Sequence, residues 1–260
     1  MSLLEIRGLR VAFGGSLAVD DVDLDVDEGR LIGLIGPNGA GKTTTIDAVT
    51  GFVPSTGSVR FKDVELQGRR GRRQRSMPPV RRANLGLART WQGADLFVDL
   101  SVLDNLRVAG ERTPDAEHHA ILDSLGVGEL AAASVQSLSH GQRKLVGVAR
   151  ALAGHPALVC MDEPAAGLDS SESGFLGHRI RAIADGGTAV LLIDHDMGLV
   201  LGICDYVYVL DFGKVIARGR PAEIRADQLV LDAYLGKRHA AAQDPDPASE
   251  GAAGDGVGQR

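Results

Sequence analysis

Cysteine is scarce. The 260 residues hold two, Cys160 and Cys204, each inside an apolar run and without a C-x-x-C partner. That rules out a disulfide framework and a zinc site, and it predicts two buried core residues in a reducing cytosol. Long apolar runs are missing too: no stretch approaches the roughly 18–20 residues a membrane span needs, so any membrane role must come through a partner chain. The start of the chain, Met1-Ser2-Leu3-Leu4-Glu5-Ile6-Arg7, brings in charge too early for a signal peptide. The chain lacks an excess of positive charge. Its net charge of −6 speaks against broad nucleic-acid binding, which demands a basic surface. There is no internal repeat. The remaining composition, 44% hydrophobic and 24% charged, is that of a globular chain able to bury one large core, with or without an inserted subdomain.

Against these absences stands one dense motif. Gly36-Pro37-Asn38-Gly39-Ala40-Gly41-Lys42-Thr43 matches G-x-x-x-x-G-K-[ST]. The apolar run Leu31-Ile32-Gly33-Leu34-Ile35 precedes it and reads as a buried strand; Thr44-Thr45-Ile46-Asp47-Ala48-Val49 follows and can continue as a helix. A loop in this context turns backbone N–H groups into one concavity, and the helix behind it adds a positive dipole end. Lys42 then supplies a charge to the β- and γ-phosphates, and the Thr43 hydroxyl suits Mg²⁺. The loop from Gly36 through Thr44 is therefore expected to hold a nucleoside triphosphate, and only one such loop is present.

The rest of the chain organises around it. Residues 3–13 and 17–27 alternate like half-buried strands about a Gly14-Gly15 turn, and Gly57-Ser58-Val59-Arg60-Phe61 begins another strand. In the segment 67–82 Arg69, Arg70, Arg72, Arg73, Arg75, Arg81 and Arg82 crowd around Pro78-Pro79; this reads as a solvated loop and helix edge. From 101 to 153 the spacing of Leu103, Leu106, Ile121, Leu122, Leu125 and Leu130 is helical, with a break at Thr113-Pro114 and Ser139 as an N-cap. Ala157-Leu158-Val159-Cys160-Met161 and Thr188-Ala189-Val190-Leu191-Leu192-Ile193 read as central parallel strands. They end at Asp162-Glu163 and Asp194-His195, at the carboxyl edge where ligands bind in open α/β sheets. Tyr206-Val207-Tyr208-Val209-Leu210 and Lys214-Val215-Ile216-Ala217 read as a hairpin around Asp211-Phe212-Gly213. Residues 237–260 read as an acidic disordered tail.

Further short motifs follow in order: Arg89-Thr90-Trp91-Gln92, Leu138-Ser139-His140-Gly141-Gln142, Asp162-Glu163, Gly167-Leu168-Asp169 and His195. With the phosphate loop they resemble the Q-loop, LSGGQ signature, Walker B motif with its glutamate, D-loop and H-loop of ABC-type ATPases. His140 replaces the first glycine of the signature pair. The stretch Gly86-Leu87-Ala88-Arg89-Thr90-Trp91-Gln92, the segment Asp162-Glu163-Pro164-Ala165-Ala166-Gly167-Leu168 and the ending Ala233-Tyr234-Leu235-Gly236 resemble the branched-chain amino acid import ATPases in particular. In that group the Trp91 position is more often phenylalanine. The resemblance implies an α/β fold, a P-loop NTPase of ABC type with an antiparallel β-subdomain and a helical subdomain at about 86–156, the whole domain covering 1–236.

It also implies roles. Asp162, Thr43 and Gln92 would hold Mg²⁺. Glu163 would be the general base, His195 a γ-phosphate sensor, and Gln92 a contact to metal and water. Phe13 would stack on adenine, and the missing guanine-reading N-K-x-D motif favours ATP over GTP. Ser139, Gly141 and Gln142 would grip ATP bound to a second subunit, with Asp169 along the seam, so that a homo- or heterodimer closes two sites. The segment from Leu96 to Leu103 is a candidate contact for a membrane permease subunit. An extracytoplasmic solute-binding protein would act indirectly, no nucleic acid is involved, and the location is the cytoplasmic face of the membrane. The expected cargo is branched-chain or related amino acids. Urea or amide uptake, lipopolysaccharide export, a soluble ABC protein and a guanine-nucleotide switch are the competing readings.

Overall fold

The structure is a computed structural model that describes residues 2–70, 73–91 and 96–235. Eleven strands and nine α-helices are present among them. The strands are β1 (Ser2–Phe13), β2 (Ser16–Asp27), β3 (Leu31–Ile35), β4 (Thr56–Phe61), β5 (Val64–Arg70), β6 (Arg73–Ser76), β7 (Leu87–Arg89), β8 (Leu158–Asp162), β9 (Ala189–Ile193), β10 (Tyr206–Asp211) and β11 (Lys214–Gly219). The helices are α1 (Lys42–Thr50), α2 (Pro79–Asn84), α3 (Val102–Ala109), α4 (Asp115–Ser124), α5 (His140–Leu152), α6 (Ser170–Asp185), α7 (Met197–Ile203), α8 (Pro221–Ala226) and α9 (Gln228–Tyr234).

Two sheets result. One is antiparallel, in the order β2-β1-β4-β5-β6. The other runs β11-β10-β3-β9-β8-β7 and is parallel except at the β10–β11 hairpin. Every residue of β3, β8 and β9 is buried, as strands covered on both faces must be. Their period of two then divides the core. Val159, Met161, Val190 and Leu192 face the helices α3 to α7, whereas Leu158, Cys160, Ala189 and Leu191 face α1 and the antiparallel sheet. The expected strand before and helix after the phosphate loop, the two acidic strand ends and the closing hairpin are all present.

Two expectations need revision. The stretch expected to open the helical subdomain at 86 begins instead with β7, a strand of the parallel sheet paired with β8; helix starts only at Val102. Three residues, Leu87-Ala88-Arg89, are too few to show a period. The arginine-rich segment is an exposed edge, as expected, at Arg75 and Arg81, but it departs from a loop in its secondary structure and from a solvated charge at Arg82. It contributes the β5–β6 hairpin and α2, and Arg82 is among the most deeply buried side chains of the protein. Its guanidinium donates to the carbonyls of Ala48 (2.9 Å), Val49 (2.5 Å), Met77 (2.8 Å) and Leu66 (3.5 Å) and to Ser76 Oγ (2.8 Å). Ala48 and Val49 lie in the last turn of α1, whose final carbonyls have no partner within the helix and sit at its negative dipole end. Burial lowers the Arg82 pKa to about 10, which still leaves it charged at neutral pH. Arg72 and the tail at 237–260 lie outside the described residues.

Candidate nucleotide site

The phosphate loop links β3 to α1 through two glycines with no room for a side chain. A Cβ on Gly36 would lie 2.0 Å from the Leu210 carbonyl oxygen, and one on Gly41 2.3 Å from that of Ala18; both have positive φ. Ala40 accepts the Gly213 N–H at 3.0 Å, which pins the loop to the β10–β11 turn. Asn38 and Gly39 form the exposed crest, and Pro37 and Thr44 are half-buried. Lys42 folds back under this crest: its Nζ donates to the carbonyls of Gly36 (2.8 Å) and Pro37 (3.0 Å). Burial lowers the pKa of this ammonium, opposed by the charges of Glu163 and Asp162. Gly41 caps α1 with no side-chain hydrogen bond, so the helix turns unshielded N–H groups outward.

Asp162 ends β8 beside the loop with 1% of its side chain exposed, and the Thr43 hydroxyl donates to its Oδ1 at 3.2 Å. Burial raises the Asp162 pKa; Thr43 and Arg89 work against that rise. A hydroxyl and a carboxylate facing one another are hard oxygen donors, and no cluster of three acidic, histidine or cysteine ligands exists among the described residues. That suits Mg²⁺, which takes one or two protein oxygens and completes its octahedron with phosphate and water. Glu163 follows in a left-handed backbone (φ 49°), its N–H donating to the Ile193 carbonyl at 2.8 Å. This uncommon conformation turns the chain sharply off the strand directly after Asp162.

Asp194 and His195 end the neighbouring strand β9 differently. Asp194 is fully buried and accepts the N–H groups of Ala165 (3.2 Å) and Asp196 (3.0 Å), so it ties the loops after β8 and β9 together. His195 is 59% exposed, with Nδ1 3.5 Å from Asp194 Oδ1. Phe13 stands 51% exposed at the β1–β2 turn. Gln92 lies outside the described residues.

The signature residues do not join the loop residues. Ser139 caps α5: its Oγ accepts the Gln142 N–H at 3.2 Å while Gln142 Oε1 accepts the Ser139 N–H at 2.9 Å. Asp169 caps α6 in the same reciprocal manner with Glu172. The residue that departs from the signature, His140, places Nε2 3.2 Å from the Ala166 carbonyl and lies against Gly167, so it fastens the signature to the Asp169 segment.

Three contributors carry no motif-based role. Arg89 pairs with Asp47 and, at 3.5 Å, with Asp162. Lys144 Nζ donates to the Glu163 carbonyl at 3.4 Å. The phenol of Tyr234 in α9 faces the backbone of Gly36, and burial pushes its pKa up to about 12. Arg89 and Tyr234 stand inside stretches that mark the resemblance, and that was their only signal.

Comparison with known proteins bears on this geometry. A family model described as ABC transporter matches residues 19–166. The chain belongs to the ABC transporter ATPases. A second model, described as branched-chain amino acid ATP-binding cassette transporter, matches residues 214–240 of this ATPase. The high-affinity branched-chain amino acid transport ATP-binding protein LivG of Salmonella typhimurium is 36% identical, over 90% of this chain and 98% of its own. The lipopolysaccharide export system ATP-binding protein LptB of Escherichia coli is 35% identical, over 91% and 98%. Among solved structures, the ADP conformation of an ATP-binding cassette of an ABC transporter superposes with a TM-score of 0.79 at 28% identity, covering 91% of this chain and 99% of that one. Two expectations are thereby met: an ABC-type P-loop ATPase fold, and a likeness to the branched-chain amino acid import ATPases.

Proposed function

We propose that this ATPase powers a membrane importer for branched-chain or related amino acids. The observation that carries the cargo class is the match of residues 214–240 to the branched-chain model, a region outside the common ATPase motifs. The test is uptake: deleting the gene should abolish accumulation of labelled leucine, isoleucine and valine, and unchanged uptake of all three would sink the cargo assignment. Lipopolysaccharide export is the second reading, on the similarity to LptB; its outcome would be normal amino-acid uptake with failed outer-membrane assembly.

In this reading the loop N–H groups and Lys42 hold the ATP phosphates, and Phe13 stacks on the adenine ring. Thr43, Asp162 and Gln92 hold Mg²⁺, which when bound neutralises charge on the transferred phosphoryl group. Glu163 accepts a proton from the attacking water, and His195 orients the γ-phosphate. A general base of this kind contributes about 10²–10⁴ in rate. Ser139, Gly141, Gln142 and Asp169 act on ATP held by a second ATPase chain, identical or not, so that a two-fold dimer completes both sites.

A short helix of a permease subunit docks in a groove of about 370 Å³ lined by Thr50, Phe52, Val80, Leu87, Trp91 and Ala151. Phe52 and Val80 expose half or more of their surface there, an apolar face suited to an amphipathic helix. The segment Leu96–Leu103 borders this groove as a candidate contact: Leu96 and Leu103 pack onto the core, while Phe97 and Val98 stay half exposed, Phe97 lying 5.4 Å from the groove residue Arg150. Among the described residues no helix is long and apolar enough to cross a membrane. The ATPase then sits on the cytoplasmic face, held by the permease, and the solute-binding protein acts from the other side.

A further inference from the structure

One side chain touches both the groove and the acidic strand end. Arg89, the last residue of β7, has a side chain only 7% exposed. Its Nη1 pairs with Asp47 of α1, and its Nη2 lies 3.5 Å from Asp162 Oδ2, the oxygen not engaged by Thr43. The guanidinium is centred 4.1 Å from the Trp91 ring and 5.7 Å from the Phe52 ring. Those two rings meet edge to face at 4.9 Å, and both line the groove. Arg89 Nε is buried and has no hydrogen-bond partner among the described residues. The group is therefore held by two carboxylates, two rings and a long contact from Nη1 to the Thr50 hydroxyl (3.5 Å), with Nε unbonded, which leaves its Asp162 end able to move.

We propose that Arg89 is a positioning residue that couples loading of the Asp162 site to the shape of the groove wall. The proposal rests on the reading of Asp162 as a magnesium carboxylate. Positive charge arriving at Asp162 repels the guanidinium, and at this depth solvent screens the repulsion little. Asp47 already holds Nη1, so the guanidinium pivots about that anchor, its Nη2 end swings away from Asp162 and the stack on Trp91 changes with it. Linkage makes the effect reciprocal: an occupant that presses on Trp91 and Phe52 alters cation affinity at Asp162 by the same factor. Lysine cannot substitute, because an ammonium has no planar face to stack while bridging two carboxylates.

Trp91 is the only tryptophan in the chain, so its emission reports this wall alone. The experiment uses full-length protein carrying Glu163→Gln, saturated with ATP in the absence of divalent ions, to which MgCl₂ is then added at constant ionic strength. The expected result is a magnesium-dependent shift in Trp91 emission and in its quenching by acrylamide. Adding Arg89→Lys should abolish that shift while magnesium-free ATP affinity and the circular dichroism spectrum stay unchanged. Arg89→Gln, planar but uncharged, serves as the second variant and should also lose it. A shift of parental size in either folded variant overturns the proposal, as does the absence of any shift in ATP-loaded parent protein. Failure of the parent to bind ATP at all, read before magnesium is added, overturns the nucleotide reading itself and is distinguished by that earlier step.

Discussion

The helix N-termini of this protein are finished in two opposite ways. At the phosphate loop, α1 begins at Gly41 with no side-chain cap and no acid in its first turn. At the signature, α5 begins at Ser139 inside a complete capping box, and α6 begins at Asp169 inside another. An uncapped start leaves orphan N–H groups that an anion can satisfy, whereas a capped start has already met part of its need. The loop end is thus built to be completed by phosphate. The signature end is stable without a ligand, and two of its N–H donors, those of Ser139 and Gln142, are committed within the box. In the proposed two-chain site, what it would offer to ATP on the other chain is the rest of that first turn, around His140 and Gly141, together with the Ser139 hydroxyl and the Gln142 amide.

The largest expected effect tests the catalytic side of this contrast. Glu163→Gln should lower turnover by about 10²–10⁴ while ATP binding persists, measured by phosphate release alongside nucleotide retention; ordinary turnover would remove Glu163 as the base. Next comes the far end of α1. Arg82→Met takes the guanidinium from four carbonyls, of which, among the described residues, those of Ala48 and Leu66 keep a backbone donor and those of Val49 and Met77 do not, and a loss of about 3 kcal/mol in unfolding free energy is expected from urea denaturation. Stability near that of the parent would mean that water replaces the guanidinium. Lys42→Ala should weaken ATP by about tenfold to a hundredfold in calorimetry, the scale of a lost charge-assisted contact; unaltered affinity would contradict the loop assignment. The smallest effect belongs to the signature. Ser139→Ala should cost about 1 kcal/mol of stability as a lost cap and leave ATP affinity of the single chain intact. A drop in that affinity would show the two helix starts to act on one nucleotide, and the contrast would dissolve.

Legibility in the sequence followed the range of the interactions. β3, β8 and β9 were readable because strands buried on both faces are continuous apolar runs, and Thr43 and Asp162 were readable because their chemistry imposes motifs. Ser139 as a cap was readable from its local spacing. β7 was not, since three residues carry no period and its place is set by pairing with β8, far along the chain. Arg82 looked like one more charge in a basic run; its burial is dictated by carbonyls of α1 and β5 that only the fold brings to it. The same holds for Arg89, whose partners Asp47 and Asp162 come from separate elements, and for His140, whose contact with Ala166 spans 26 positions.

Burial pushes the Cys160 thiol up to about 12 and raises that of Cys204 as well; both are free and sealed in separate halves of the core. Maleimide and spin-label reagents need an accessible thiolate and will find none in the native chain. One cysteine placed on the loop crest and another beside the signature would consequently be the sole labels, and in the proposed dimer the distance between them across two molecules could be followed without first stripping the protein of its own sulfur.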